Sequence, residues 1–144
     1  MWAKEYLQQL QRLDTVINQK IAELNDLRRK AEGIGSIDYA KDKVQTSPAG
    51  DALFVSMVGR IADLEAEISA EIARYMKEKH LIISQMQSLP NVNHVSLLYK
   101  RYVEFKSFEI IAAEMGFAYQ YIIELHREAL RDFQTTYKNQ LKPI

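Results

Sequence analysis

Residues that commonly carry out chemistry are few and widely separated in this sequence. The chain has no cysteine, which excludes thiolate metal sites, thiol nucleophiles and disulfide bonds. The three histidines lack the i, i+4 spacing that places two imidazoles on one helical face: His80, His94 and His126. Four acidic residues are spread around a predicted helix, which is typical of a solvated face: Asp63, Glu65, Glu67 and Glu71. The sequence therefore predicts a protein that is not an enzyme and that uses no metal or cofactor.

The distribution of glycine and proline shows which elements position the remaining residues. Residues 1–32 contain neither glycine nor proline, and residues 51–89 contain only Gly59, so each stretch is predicted to be one long helix. Leu89, Pro90 and Asn91 mark a second break, after which the helical segments become shorter. We expect an all-α fold with a long antiparallel, coiled-coil-like helical hairpin at 1–90, a linker loop at 33–51 and a C-terminal helix-turn-helix domain at 91–144.

The expected helix ends have specific chemistry. Gly33 and Gly35 are expected to end the first helix, because glycine is the residue most often found just after a helix. Ser47 is expected to cap the second helix, with Pro48 at its first position.

Apolar residues recur at alternating spacings of four and three in both long helices, which places them on one stripe of each. The first stripe, with one lysine, comprises Tyr6, Leu10, Leu13, Ile17, Lys20, Leu24, Leu27 and Ala31. The second comprises Phe54, Val58, Ile61, Glu65, Ile68, Ile72, Tyr75, Lys79, Ile82, Met86 and Leu89. Further apolar residues widen both stripes: Leu7, Val16, Ile21, Leu53, Met57, Leu64 and Met76. Exposing them would forgo roughly a few kcal/mol. We therefore expect a homodimer through the hairpin, or a monomer whose C-terminal helices fold back.

The C-terminal third is predicted to form three shorter helices. The first covers Val95 to about Glu104, the second runs from Phe108 to Met115 after a Ser107 cap, and the third covers about Ala118 to Lys138. Gly116 suits the tight turn between the second and third helices. Apolar residues around this turn are expected to form a small core: Ile110, Ile111, Ala112, Met115, Phe117, Ile122, Leu125, Ala129 and Phe133.

This C-terminal stretch resembles the region-4 helix-turn-helix of sigma-70 family factors. The matching residues are the pair Arg101-Tyr102, the Ser-x-Glu-x-Ile-Ala pattern at Ser107, Glu109, Ile111 and Ala112, the turn at Gly116 and the pair Ala129-Leu130. The whole chain also resembles small phage and prophage proteins related to the ArpU-type late-gene transcriptional regulators. That resemblance includes Tyr6 to Leu24 and the phrase KVQTSPAGD at Lys43 to Asp51.

The resemblance implies a phage-type transcriptional regulator that binds double-stranded DNA in the host cytoplasm. By position in the motif, the residues that face the major groove are Tyr119, Gln120, Ile123 and Glu124, with Arg127 near the DNA backbone. Glutamine can recognise adenine through its amide, and tyrosine can reach phosphate. The sequence departs from the family pattern at Ala118, which replaces the usual Ser or Thr cap, and in the absence of arginine from the reading positions.

The charge distribution is unusual for a DNA-binding domain. Residues 95–144 hold seven basic and six acidic side chains, so the segment is close to neutral and is expected to bind DNA weakly on its own. Dimerisation or contact with host RNA polymerase would compensate. The candidates for phosphate contact are Lys100, Arg101, Lys106, Arg127, Arg131 and Lys138.

A non-enzymatic phage assembly, packaging or scaffold protein whose helices bind protein partners is the alternative function. No stretch is long and apolar enough to span a bilayer, and the N-terminal residues lack the apolar core of a signal peptide. We therefore expect no membrane association, and a cytoplasmic location.

Overall fold

A computed structural model describes the backbone of residues 1–40 and 48–144 and the side chains of residues 1–33 and 50–144. These residues form five helices and no strand: α1 (Ala3–Ala40), α2 (Pro48–Gln87), α3 (Val92–Tyr102), α4 (Phe108–Met115) and α5 (Tyr119–Thr136). The all-α class is confirmed. The hairpin and the helix-turn-helix, as arrangements of these helices, stay predictions.

The expected end of the first helix at Gly33 and Gly35 is wrong, because α1 continues through both residues to Ala40. A glycine inside a helix costs only about 1 kcal/mol relative to alanine, so a glycine without a left-handed conformation does not by itself end a helix. Residues 33–40 and 48–51 of the predicted linker are therefore helical. The proposed Ser47 cap lies outside the described residues, while Pro48 is the first residue of α2, as expected.

The chain divides into two units, and the first consists of Met1–Asp14 with Arg74–Ile144. Its main core joins apolar side chains from the start of α1, the end of α2, α3 and α5; the largest fully buried members are Leu7, Leu10, Ile82, Met86, Leu98 and Phe133. The Tyr6 hydroxyl donates to Gln85 Oε1 at 2.8 Å within this core. The C-terminal helices therefore cover the apolar surface around Leu7 and Leu10. This unit contains residues from both sides of residue 90, the position of the domain boundary predicted from the sequence.

The second unit is Thr15–Ala73, which contains the rest of α1 and the first part of α2. Leu24, Leu64 and Ile68 form its buried core. Lys20 Nζ contacts Glu67 Oε1 at 2.9 Å and also pairs with Glu71, and Arg28 pairs with Glu65. These contacts join α1 and α2 in opposite residue order, as antiparallel neighbours do. Three residues expected in the apolar seam are at least one-third exposed instead: Phe54, Val58 and Ile72.

A smaller core connects the three C-terminal helices. Its buried members come from α3, α4 and α5: Leu97, Ile111, Ala112, Ile122 and Leu125. Ile110 was expected to belong to it, but its side chain is 50% exposed. The helix carrying Ile110 is only eight residues long and buries just one face. No helix among the described residues has the length and apolar character needed to cross a membrane.

Candidate nucleic-acid interface

The start of α4 and the turn into α5 are determined by local side-chain chemistry. Ser107 caps α4, with its hydroxyl accepting from the Ile110 N–H at 3.3 Å. Gly116 ends α4 in the left-handed region, with φ of 72°. The N–H groups of Gly116 and Phe117 both donate to the carbonyl of Ala112, which closes the helix end. The predicted cap and the predicted glycine turn are therefore both present.

Helix α5 follows this turn without a capping side chain. Ala118 adopts the extended backbone of an N-cap residue, but it makes no side-chain hydrogen bond to the helix. The inward face of α5 is buried and comprises five residues: Ile122, Leu125, His126, Ala129 and Phe133. Every α5 residue with a recognition role in the sequence prediction lies outside this face.

The predicted reading residues are accessible on the first two turns of α5. Tyr119 is 44% exposed, Gln120 and Glu124 are exposed, and Ile123 is partly buried. At 3.6 residues per turn, Gln120, Glu124, Arg127 and Arg131 fall on one stripe opposite the buried face. The helix therefore brings a hydrogen-bonding amide, a carboxylate and two guanidinium groups together on one outward surface.

The predicted phosphate contacts separate into free and occupied cations. Arg127, Arg131 and Lys138 are exposed, and none of them forms an ion pair with any residue that the structure describes. Arg101 is occupied: its guanidinium carbon lies 4.1 Å from the centre of the Phe108 ring, and Nη1 donates to the Lys106 carbonyl at 2.9 Å. This geometry gives Arg101 a structural role in joining the end of α3 to the start of α4.

Lys100 and Lys106 are also occupied, because both point at one carboxylate. Lys100 Nζ lies 2.8 Å from Glu114 Oε1, and Lys106 Nζ lies 2.9 Å from Glu114 Oε2. Hydrogen bonds from the two ammonium groups lower the pKa of Glu114, and the carboxylate raises the pKa of Lys106. Both shifts favour the charged forms of Glu114 and Lys106, and the Glu114 carboxylate lies between the two amino groups in a compact cluster.

A buried tyrosine–histidine pair lies behind the outward face. The Tyr102 hydroxyl and His126 Nε2 are 2.7 Å apart, and the edge of Phe108 packs against the imidazole. Burial lowers the pKa of His126 to about 4, with the positive charges of Arg101 and Lys4 adding to the effect. Burial also raises the pKa of Tyr102 to about 12. Tyr102 is thus the donor and neutral His126 the acceptor, and the pair connects α3 to α5.

His94 makes a second link between α3 and α5. Its Nδ1 lies 2.9 Å from Asp132 Oδ2, while its buried Nε2 has no hydrogen-bond partner among the described residues. Among the residues that the structure describes, no three His, Asp or Glu side chains lie close enough together to hold a metal ion. Both buried histidines, His94 and His126, connect α3 to α5 through side-chain contacts.

Comparisons with protein-family models, curated proteins and solved structures find no match to this chain. The likeness to phage late-gene regulators and to sigma region 4 is therefore carried by the sequence motifs alone, and the function that it implies stays a prediction.

Proposed function

We propose that this protein is a DNA-binding transcriptional regulator that reads duplex DNA with the outward face of α5. The observation that carries the proposal is the accessibility of Tyr119, Gln120 and Arg127 directly after the left-handed turn at Gly116. Gln120 and Arg127 lie opposite the buried face of α5, and Tyr119, the first residue of the helix, is exposed and is not among the buried residues. An exposed polar stripe at the start of a packed helix is how helix-turn-helix proteins present base-reading residues.

Each exposed side chain has a plausible nucleic-acid partner. The Gln120 amide can pair with the N6 and N7 atoms of adenine, and Glu124 can accept from the amino group of cytosine. Tyr119 can donate to a phosphate oxygen. Arg127 and Arg131 lie on the same stripe and can neutralise backbone phosphates, because no described carboxylate holds them.

The small number of free cations on α5 favours weak DNA binding that a partner protein strengthens. Each neutralised phosphate contributes about 0.9 to the slope of log affinity against log salt, so the two free arginines of α5 contribute only about 2 and an additional contact from Lys138 would add about 0.9. Tight binding then requires a second copy of the chain or a protein such as host RNA polymerase at the promoter. We include a homodimer in the proposal for this reason.

The test compares two charge-matched double variants by fluorescence anisotropy on a duplex at two or more salt concentrations. Arg127→Gln with Arg131→Gln removes the free cations of α5, and Arg74→Gln with Lys77→Gln removes two exposed cations of α2. The α5 variant should lose about 1.8 from the salt slope, and the α2 variant should lose much less. Equal losses would show that DNA responds to net charge and not to this face.

The alternative, an assembly or scaffold protein, is favoured by exposed apolar side chains near the start of α2. Val55 is 68%, Leu53 53% and Val58 45% exposed. Val55 and Val58 are neighbours on one side of α2, and exposed apolar surface commonly marks a protein interface. A Val55→Glu, Val58→Glu variant in light scattering separates the two functions. The scaffold function predicts loss of oligomers and no sequence-dependent DNA binding, whereas the regulator keeps its DNA preference at reduced affinity.

A further inference from the structure

Lys100 and Lys106 are placed as in an anion-binding site, and the Glu114 carboxylate occupies the position of the anion. Lys100 lies near the end of α3, Lys106 lies between α3 and α4, and Glu114 is the penultimate residue of α4. Both ammonium groups lie within 3 Å of Glu114 oxygens, at 2.8 Å for Lys100 and 2.9 Å for Lys106. Glu104 Oε2 also lies 3.3 Å from Lys106 Nζ.

The Glu114 carboxylate can be displaced by another anion. The three side chains retain 25%, 26% and 35% of their exposure for Lys100, Lys106 and Glu114, so water and ions reach the cluster. Ion pairs this exposed contribute little to stability, and they weaken as salt is added. A phosphate group carries several acceptor oxygens and can take the place of a carboxylate between two lysines.

The cluster is also close in sequence to the proposed reading face. Glu114 precedes Tyr119 by five residues, which span at most about 18 Å even when fully extended. The turn at Gly116 shortens this separation, because α4 ends and α5 begins within it. A duplex that contacts the start of α5 therefore comes within about 18 Å of the backbone of Glu114, whose carboxylate holds both lysines.

We propose that Lys100 and Lys106 form a binding site for one phosphate group of the DNA backbone, and that Glu114 competes with that phosphate inside the protein. This inference rests on the proposed function and adds a regulatory element to it: Glu114 holds DNA affinity below what the cations of the domain would support. Glu114 is one of the six acidic side chains that bring residues 95–144 close to neutral charge.

The test is Glu114→Gln, with Glu109→Gln as the matched control. Both residues lie on α4 and both substitutions remove one negative charge, but Glu109 has no ion pair with a described residue. DNA affinity of the full chain is measured by fluorescence anisotropy across salt concentrations. E114Q is expected to steepen the salt slope by about 0.9, the value of one additional neutralised phosphate, and to bind several-fold more tightly at low salt. E109Q is expected to change the slope much less.

A third variant shows whether the lysines are responsible. Adding Lys100→Gln and Lys106→Gln to E114Q should return the slope to the wild-type value. In a competition arm, inorganic phosphate is exchanged for chloride at matched ionic strength. It should displace DNA from E114Q more effectively than from E109Q, since only the former exposes the vacated site. Circular dichroism confirms that each variant remains helical.

Two results would overturn the inference while leaving the proposed function intact. One is an equal change of slope in E114Q and E109Q, and the other is a gain in E114Q that persists after both lysines are replaced. If the wild type and every variant bind no duplex, the proposed function fails first, and the inference fails with it.

Discussion

Replacing Gly116 and Gly59 by alanine should change stability in opposite directions. Gly116 has φ of 72°, and a Cβ built there meets no atom within 4 Å. The cost of Gly116→Ala is therefore backbone strain alone, about 1 to 2 kcal/mol for a non-glycine residue in the left-handed region. A gain of about 0.4 to 1 kcal/mol from the restricted unfolded chain offsets part of it. The net expectation is a loss of about 1 kcal/mol.

Gly59 provides the matched comparison, because it lies inside α2 and its added Cβ also meets open space. Alanine there should stabilise the chain by about 0.5 to 1 kcal/mol, the ordinary advantage of alanine over glycine in a helix. Urea unfolding followed by circular dichroism measures both changes. Hydrogen exchange assigns each change to the unit that contains the substitution. A Gly116→Ala variant that is stabilised as much as Gly59→Ala would refute the left-handed turn that orients the start of α5.

Three further perturbations test the groups around α5. His126 has a folded pKa of about 4 against an ordinary value of 6.5, so between these pH values only the unfolded chain binds the proton. The free energy of unfolding should fall as pH falls through this window, by up to about 1.4 kcal/mol per pH unit, and His126→Gln should remove that contribution from a urea titration against pH. Arg101→Lys removes the guanidinium that stacks on Phe108 and donates to the Lys106 carbonyl, so the free energy of unfolding should fall by about 1 to 2 kcal/mol while the DNA salt slope stays unchanged. Unchanged stability with weaker DNA binding would instead support a direct contact between Arg101 and DNA. Ser107→Ala should lose about 1 kcal/mol and Ala118→Ser should gain a similar amount in thermal unfolding, because one N-cap has a side-chain hydrogen bond and the other lacks it; no gain at Ala118 would contradict the cap geometry.

Local chemistry was the part of the fold that could be predicted from the sequence. The Ser107 cap and the Gly116 turn each depend on a few neighbouring residues, and both are present in the structure. The end of α1 was mispredicted because glycine only lowers helix propensity, and the surroundings of Gly33 leave it free to remain helical. The spacing of apolar residues also predicted that Phe54 and Val58 lie in the apolar seam of α2, but both are at least one-third exposed. Spacing shows which residues share a face of a helix, and it does not show whether another element packs against that face.

The contacts that define the candidate site join residues far apart in sequence. Lys100 and Glu114 are separated by fourteen positions and lie on different helices. Tyr102 and His126 are separated by twenty-four. No helical period relates such positions, so the sequence alone could not show that Lys100, Lys106 and Arg101 are occupied while Arg127 and Arg131 are free. The motif predicted which residues of α5 face outward, but it could not show which charged side chains are paired with neighbours.

Selection from a random pool of duplex DNA tests most directly whether the outward face of α5 reads base pairs. The wild type and a Tyr119→Ala, Gln120→Ala double variant are each carried through the same rounds of binding and sequencing. We expect the wild type to enrich a defined sequence, and the double variant, while still helical by circular dichroism, to enrich none. Enrichment of the same sequence by both proteins would show that Tyr119 and Gln120 do not read base pairs.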